Sequence, residues 1–248
     1  MEQRPLVEMK GISKTFGAIN ALQNVDLTLY NDEILGLVGD NAAGKSTLMK
    51  ILTGVHKADE GKIYIEGKEV TVNRPSDARA LGIEMVYQDF ALAPNLDVID
   101  NIFLGREETK NLGGLIKVLD KSGMRERGIN AIQALQVDMG QFDSLVRFLS
   151  GGQQQAVAIA RATLYRPKVI VMDEPSASLS VKAIQRLLEL MKRFKEEGIS
   201  LIFITHRLPD IFSVSDRIMV LRAGKKVAEK KITEVTLDSV IKLILGLT

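Results

Sequence analysis

The 248-residue sequence contains no cysteine and only two histidines. The absence of cysteine excludes a disulfide framework, a thiolate nucleophile and a cysteine-based zinc site, and it is typical of a reducing compartment. No stretch approaches the roughly 18 apolar residues that a membrane-spanning helix requires, and Met1–Pro5 lack the apolar segment of a signal peptide. We therefore expect a soluble chain in the cytosol.

Neither sign of charge is in excess, since 33 Lys and Arg face 31 Asp and Glu, for a net charge of +2. This balance does not suggest the electrostatic footprint of a nucleic-acid-binding protein, and no nucleic-acid partner is expected. Apolar residues make up 46% of the chain, which at this length can bury a substantial core. We expect one main domain with an inserted subdomain.

Short apolar runs alternate with helical patterns along the chain, which is typical of an α/β fold with a mostly parallel sheet. Four of these runs have the length of strands: 34–38, 83–87, 169–172 and 201–205. Alternation over 25–29 and a hairpin-like pattern over 61–70 predict an antiparallel sheet in the N-terminal third. Residues 89–165 lack good strands and show helix-spaced apolar positions, which predicts a helical subdomain. The charge-rich segments 105–108 and 192–197 are interpreted as solvated helix faces.

Residues 39–46 read Gly-Asp-Asn-Ala-Ala-Gly-Lys-Ser and match the phosphate-loop pattern G-x-x-x-x-G-K-[ST]. The pattern follows an apolar strand and precedes a helical pattern, as this type of loop requires. Its backbone N–H groups and the helix N-terminus can hold phosphates, Lys45 can reach the β- and γ-phosphates, and Ser46 can bind Mg²⁺.

A pair of carboxylates, Asp173 and Glu174, ends the run 169–172. Because adjacent strand residues point to opposite sides, the two acids are predicted to have different roles. Asp173 suits a contact with Mg²⁺, direct or through its hydration shell, and Glu174 suits a general base that polarises an attacking water. Paired acids at a strand end are also typical of a solvated turn, but the upstream phosphate loop favours the catalytic interpretation.

Two further polar side chains follow predicted strands. The amide oxygen of Gln88 can contact the metal or the water, and His206 can donate a hydrogen bond to the γ-phosphate. His56 lies in a polar turn and is expected at the surface. Phe16 precedes the alternating strand and can stack on adenine, while a core or hairpin aromatic is the alternative that its spacing leaves open.

A second anion-binding segment, Leu-Ser-Gly-Gly-Gln, spans Leu149–Gln153 and opens a helical pattern. One nucleotide does not need two such segments. The second segment is therefore predicted to serve a nucleotide held by another copy of the fold, in a dimer with shared sites.

In this order, the residues resemble the nucleotide-binding subunit of ATP-binding cassette (ABC) transporters, from about Leu6 to Gly246. The resemblance implies a single domain, 1–248, with a P-loop NTPase core and antiparallel β subdomain in 1–88 and 166–248 and a helical subdomain in 89–165. It implies ATP and Mg²⁺ as cofactors. The metal ligands would be Ser46, Gln88 and Asp173, and the catalytic residues Glu174, His206 and Gln88. The nucleotide would contact Phe16, Gly39, Asp40, Asn41, Ala42, Ala43, Gly44, Lys45, Ser46, Thr47, Ser150, Gly151, Gly152 and Gln153.

The resemblance also implies partners. Two cassettes pair head-to-tail, and each ATP lies between the phosphate loop of one and the signature, 149–153, of the other. A groove around 88–105 would receive a helix of a transmembrane permease subunit, which would place the chain peripherally on the cytoplasmic face of the cell membrane. A periplasmic or extracellular solute-binding protein takes part indirectly.

The segments 97–107, 153–162 and 178–180 resemble bacterial carbohydrate importers of the ribose/xylose/galactose type, which implies import of a monosaccharide. Import of another small solute, a translation- or DNA-linked ATPase, and a regulator without turnover are the alternatives. Two cassettes are often fused in that branch, so both a homodimer and one half of a longer chain remain open.

Two positions depart from the family pattern. Most relatives carry glycine at Ala42, where alanine costs on the order of 1–2 kcal/mol if φ is positive, so weaker nucleotide binding is expected. The usual aspartate of the D-loop, 178–180, is Ser180. The loss of this charge is expected to loosen the coupling between the two sites of a dimer.

Overall fold

The computed structural model describes residues 4–112, 116–176 and 179–247. Within these ranges, no helix is both long enough and apolar enough to cross a membrane. The strands are β1 Val7–Phe16, β2 Ile19–Leu29, β3 Ile34–Gly39, β4 Glu60–Ile65, β5 Lys68–Val70, β6 Ile83–Val86, β7 Thr109–Leu112, β8 Ile116–Leu119, β9 Val169–Asp173, β10 Ser200–Ile204, β11 Arg217–Arg222 and β12 Lys225–Lys231. The helices are α1 Lys45–Leu52, α2 Pro75–Ala80, α3 Val98–Phe103, α4 Lys121–Ala134, α5 Gly151–Thr163, α6 Val181–Glu196, α7 Leu208–Val214 and α8 Leu237–Leu245.

The largest sheet has six strands in the order β12-β11-β3-β10-β9-β6. All neighbours are parallel except β11 and β12. Every residue of β9 and β10 is buried, because helices and the second sheet cover both faces. The predicted α/β fold with a mostly parallel sheet is thus confirmed, and each of the four predicted strands lies within one residue of its expected bounds.

A four-stranded antiparallel sheet, in the order β2-β1-β4-β5, flanks the main sheet. Val25, Leu27 and Leu29 of β2 are buried, whereas Asp26 between them is exposed. These buried side chains join one hydrophobic core with Leu35 and other residues of the main sheet. The alternation in the sequence therefore identified a strand with one face on the core.

The predicted helical subdomain has its own core, in which α3, α4 and α5 pack around Ile102, Phe103 and Val157. The sequence shows no good strands in 89–165, but β7 and β8 form an antiparallel pair there. Residues 109–111 and most of β8 are exposed. Strands without a buried face carry no strong hydrophobic alternation, so the usual sequence signal is missing.

The interpretation of 105–108 as a solvated helix face is wrong. Arg106 lies outside any helix, and its side chain is only 16% exposed. Its guanidinium donates two hydrogen bonds, of 2.7 and 2.9 Å, to the carboxylate of Glu84 on β6. The two residues are far apart in sequence, so local charge patterning could not predict this pair.

Candidate functional site

The phosphate loop, residues 39–47, joins β3 to α1. Both glycines of this loop have positive φ angles, 154° at Gly39 and 101° at Gly44. A Cβ on Gly39 would lie 2.1 Å from the carbonyl oxygen of Leu221, and one on Gly44 would lie 2.7 Å from that of Ala21. Both positions therefore require glycine, and the loop is fixed against β11 and β2 with its backbone available to a ligand.

Lys45 begins α1 directly after this loop. Its Nζ donates hydrogen bonds of 2.8 and 3.0 Å to the carbonyl oxygens of Gly39 and Asp40. Burial lowers the pKa of Lys45, and the nearby Glu174 and Asp173 oppose that effect. The ammonium group is thus held inside the loop, beside two carboxylates, where a phosphate charge would replace the missing solvation.

Ser46 and Asp173 come together across the site. The hydroxyl of Ser46 donates a hydrogen bond of 3.3 Å to Oδ1 of Asp173. Burial raises the pKa of Asp173; the bond from Ser46 opposes this rise and the charge of Glu174 adds to it. A bound cation would favour the ionised form of Asp173, so these oxygens suit a hard divalent metal.

The geometry at the ends of β9 and β10 brings Glu174 and His206 into contact. Asp173 pairs with Ile204 in parallel register, and the N–H of Glu174 donates to the carbonyl of Ile204 at 2.9 Å. Nδ1 of His206 lies 2.9 Å from Oε2 of Glu174, a hydrogen bond in which the imidazole N–H donates to the carboxylate. This bond orients the Glu174 side chain, which is only 15% exposed.

Gln88 reaches the same edge of the sheet from β6. Val86 of β6 pairs with Met172 of β9. Gln88 follows Val86 by two residues and Glu174 follows Met172 by two, so both side chains lie at the same end of the sheet. The carboxyl ends of β3, β10, β9 and β6, four of the five parallel strands, meet here, where ligands bind in open α/β sheets. A cavity of about 460 Å³ is lined by residues 41–47 and by the other predicted catalytic and metal-binding side chains: Gln88, Asp173, Glu174 and His206.

Gly39 and Asp40 border a neighbouring cavity, which His206 also lines. Phe16 is not among the lining residues of either cavity. Phe16 lies at the β1–β2 hairpin and is 42% exposed. Its ring lies 5.2 Å, centroid to centroid, from the edge-on ring of His56. Phe16 is therefore a hairpin aromatic, as the alternative interpretation of the sequence expected. Its exposed ring is still available for stacking on adenine.

Residues Ile19–Ala21 of β2 line the phosphate-loop cavity, and no motif in the sequence identified them. They belong to an ordinary alternating strand. The close approach of Gly44 to the backbone of Ala21 brings this strand to the site.

The signature, residues 149–153, begins α5. The hydroxyl of Ser150 accepts a hydrogen bond from the N–H of Gln153, and the Gln153 side chain accepts one from the N–H of Ser150, which forms a capping box. A Cβ on Gly152 would meet no atom within 4 Å, so nothing in its own chain requires glycine there.

The signature borders a separate cavity of about 310 Å³ with Ser150, Gly152 and Gln153 in its lining. This cavity shares no lining residue with the phosphate-loop cavity. The structure of one chain therefore does not bring the two anion-binding segments together.

Of the D-loop residues, Ser180 caps α6, and Ser178 lies outside the described residues.

A sequence model of the family described as ABC transporter matches residues 22–177. The matched range contains the phosphate loop, Gln88, the signature and the Asp173–Glu174 pair. Phe16 and His206 lie outside it.

The chain is 44% identical over 242 residues to the ribose import ATP-binding protein RbsA of Caldanaerobacter subterraneus subsp. tengcongensis, covering 98% of this chain and 48% of the relative. It is 43% identical over 239 residues to the xylose/arabinose import ATP-binding protein XylG of Sulfolobus acidocaldarius, covering 96% of this chain and 93% of that protein. The chain thus spans about half the length of the ribose-import relatives that it matches.

Among solved structures, the chain resembles a dimeric ATP-binding cassette in a post-hydrolysis state bound to ADP and Pi. The TM-score is 0.77 at 28% identity, covering 91% of this chain and 98% of that chain. The predicted fold class is confirmed by this likeness as well.

Proposed function

Because this chain belongs to the ABC transporter family, we propose that it is an ATP-binding and ATP-hydrolysing subunit that powers the import of a small solute. The observation that carries the proposal is the single cavity that unites the phosphate loop with Gln88, Asp173, Glu174 and His206. It supplies phosphate-binding N–H groups, a lysine, metal-binding oxygens and a carboxylate base, which are the parts that phosphoryl transfer to water requires.

The donor set of the cavity fits Mg²⁺. Ser46 and Asp173 are already in contact, and the amide of Gln88 lines the same space. Among residues 4–112, 116–176 and 179–247, no group of three or more His, Cys, Asp or Glu residues could hold a metal without other ligands. Mg²⁺ is usually bound through one or two protein oxygens together with substrate phosphates, so this sparse set is the expected one. When bound, Mg²⁺ would neutralise phosphate charge.

Glu174 acts as the general base in this proposal. Its backbone is fixed to the end of β10, and the imidazole of His206 holds one of its carboxylate oxygens. The other oxygen is free to accept a proton from a water placed in line with the γ-phosphate. Nε2 of the same ring carries an N–H only when the imidazole is protonated; in that form it would donate to the γ-phosphate, and His206 would link the base to the reacting group.

The second nucleotide contact comes from another copy of the chain. The signature lies in its own cavity, and the open space at Gly152 suits the close approach of a phosphate from outside. Head-to-tail pairing places the signature of one cassette over the phosphate loop of the other. The dimeric cassette structure supports such pairing.

The transported solute is proposed to be a monosaccharide, which the ribose and xylose/arabinose importers among the relatives support. Transmembrane permease subunits would receive the energy of closure, a solute-binding protein would deliver the sugar, and the cassette would lie at the cytoplasmic face of the membrane. Stimulation of ATP turnover by sugar-loaded binding proteins in reconstituted complexes tests the solute class.

The central test is Glu174→Gln. We expect ATP affinity within about twofold of wild type, hydrolysis reduced by about 10²–10⁴-fold because the base is lost, and an ATP-dependent dimer in size-exclusion chromatography. The exposed Glu197→Gln is the matched control and should leave all three measurements unchanged. Hydrolysis at the original rate would remove Glu174 from the base role, and a wild-type protein without ATPase activity in the assembled complex would contradict the proposed function.

A further inference from the structure

Arg161 connects the signature helix to the turn that carries Gln88. It lies near the C-terminal end of α5, whose N-terminus is the signature, roughly 16 Å along the helix from Ser150 at 1.5 Å per residue. Its Nη1 donates a hydrogen bond of 2.8 Å to the carbonyl of Ala91, and its Nη2 donates one of 2.7 Å to that of Phe90. In the described part of the chain, its side chain has no other hydrogen bond.

The turn that receives these bonds has an unusual backbone. Phe90 and Ala91 are consecutive non-glycine residues with φ angles of 59° and 47°. The N–H of Phe90 donates to the carbonyl of Tyr87 at 2.9 Å, which closes a turn over Gln88 and Asp89. Such a backbone persists only where its surroundings hold it, and the fork of Arg161 binds both strained residues at once.

Among the described residues, the Arg161 guanidinium donates hydrogen bonds to these two carbonyls and to no carboxylate. Burial lowers the pKa of Arg161, and the neighbouring Arg106 adds to this effect. Glu84, the carboxylate whose charge favours the Arg161 cation, is already bound by both terminal nitrogens of Arg106. One cavity is lined by three arginines, Arg79, Arg106 and Arg161, and by a single carboxylate, that of Glu84. Because Arg106 occupies this carboxylate, Arg161 bonds to backbone carbonyls instead.

We propose that Arg161 is the positioning residue that fixes the Gln88 turn, residues 87–91, to the signature helix, so that the Gln88 amide stays at the phosphate cavity. The proposal rests on the proposed ATPase function and adds to it a residue that acts only through Gln88. Lysine cannot replace this arginine, because one ammonium group does not reproduce a planar fork across two carbonyls.

The test is a double-mutant cycle of Arg161→Lys and Gln88→Ala, measured as kcat, the Mg²⁺ concentration for half-maximal ATPase rate, and the Kd for ATP. Arg161→Lys should lower kcat about tenfold and raise the Mg²⁺ requirement, with the Kd for ATP within about twofold, because the phosphate loop is untouched. In the Gln88→Ala background, the same change should add less than about twofold, since the group that Arg161 positions is already absent.

Multiplying effects in the double variant would overturn the proposal, because a merely structural arginine acts independently of Gln88. An unchanged kcat in Arg161→Lys would also overturn it. Arg166→Lys, at an exposed arginine just beyond α5, is the matched control and should change nothing. If Arg161→Lys does not fold, Arg161→Gln keeps one amide donor without a buried charge and enters the same cycle. A wild-type enzyme without ATPase activity would refute the proposed function instead, so the two failures are distinguishable.

Discussion

Two non-glycine residues that line the phosphate-loop cavity adopt left-handed backbone angles, Ala42 with φ 62° and Glu174 with φ 51°. Glu174 comes directly after the last residue of β9, and its backbone conformation directs the carboxylate towards His206. The strain at this residue therefore occurs where a functional side chain is oriented. The side chain of Ala42 is exposed, so packing does not offset the cost. The sequence-based expectation depended on a positive φ at this position, and the structure meets that condition.

We predict that Ala42→Gly stabilises the protein. The left-handed conformation costs alanine about 1–2 kcal/mol, and the greater freedom of glycine in the unfolded chain returns about 0.4–1 kcal/mol of this. The free energy of unfolding in urea should therefore rise by about 0.5–1 kcal/mol. Titration calorimetry with ATP tests the second expectation, tighter binding in the glycine variant. Equal Kd values for the wild-type protein and Ala42→Gly would mean that the backbone strain at this position affects folding but not ATP binding.

Ala43→Gly is the matched control for this prediction. Ala43 is buried and does not have a positive φ. The same chemical change should therefore destabilise the protein, by about 1 kcal/mol from lost packing and added chain entropy. A stability gain in both variants would contradict the assignment of the cost to backbone strain.

At the scale of elements, the start of α6 explains how Ser180 can replace the usual aspartate of the D-loop. Its side chain caps the helix by accepting a hydrogen bond of 3.4 Å from the N–H of Ala183. Serine and aspartate are equally good N-caps, so the helix does not require the acid. The substitution therefore removes a charge one helical turn from Ala183, which lines the cavity at the signature, without removing the cap. Its effect is expected in the proposed dimer and not in the fold of one chain.

We predict that Ser180→Asp leaves the thermal unfolding of the chain nearly unchanged but favours the ATP-bound dimer. In the Glu174→Gln background, the dimerisation constant should rise about two- to fivefold, the range of an exposed ion pair. Turnover in the otherwise wild-type chain should rise as well. Ser180→Ala provides the contrast, because the loss of the cap should reduce stability by about 1 kcal/mol. Equal dimerisation and turnover in the wild-type chain and the Ser180→Asp variant would dismiss the coupling hypothesis.

The elements that the sequence predicts well are those with a buried face. β3, β6, β9 and β10 are short apolar runs bounded by polar loops, and the local pattern alone reveals them. β7 and β8 escape this kind of prediction because they are mostly exposed. The same limit applies to Arg106, because its local charge pattern indicates a solvated face and only the fold brings Glu84 beside it.

At the scale of the whole molecule, the separation of the two anion-binding segments makes a single chain incomplete. We predict that an equal mixture of Glu174→Gln and Gly152→Asp chains recovers ATPase activity that neither has alone. In the mixed dimer, one site carries both defects and the other carries none. With random pairing, about a quarter of the wild-type rate should return.

Gly152→Asp is suited to this experiment because the space around Gly152 is open, so the chain should fold with a negative charge at the phosphate position. Each variant at twice the concentration is the control for simple mass action. If the signature acted on the nucleotide of its own chain, every chain in the mixture would carry one defect. No activity would then return.

Much of the candidate site could be predicted because its members follow strand ends. Lys45, Gln88, Glu174 and His206 each lie in a segment that follows a buried strand, and parallel strands bring their carboxyl ends to one edge. Ile19–Ala21 and Arg161 could not be found in this way. They reach the site through sheet-to-sheet and helix-to-turn packing, which leaves no fixed spacing in the sequence.

The sequence by itself determined the parallel core, the phosphate loop and the order of the candidate catalytic side chains, because local patterns encode strands, helix starts and the groups that follow them. Only the tertiary structure decided that the signature lies apart from the phosphate loop, that Arg106 is paired inside the protein, and that Arg161 holds the strained turn beside Gln88. Those relations join segments distant in the chain, and they depend on how the helical subdomain packs against the sheet. The backbone angle at Ala42 was likewise decided by the fold, since the loop closes against neighbouring strands.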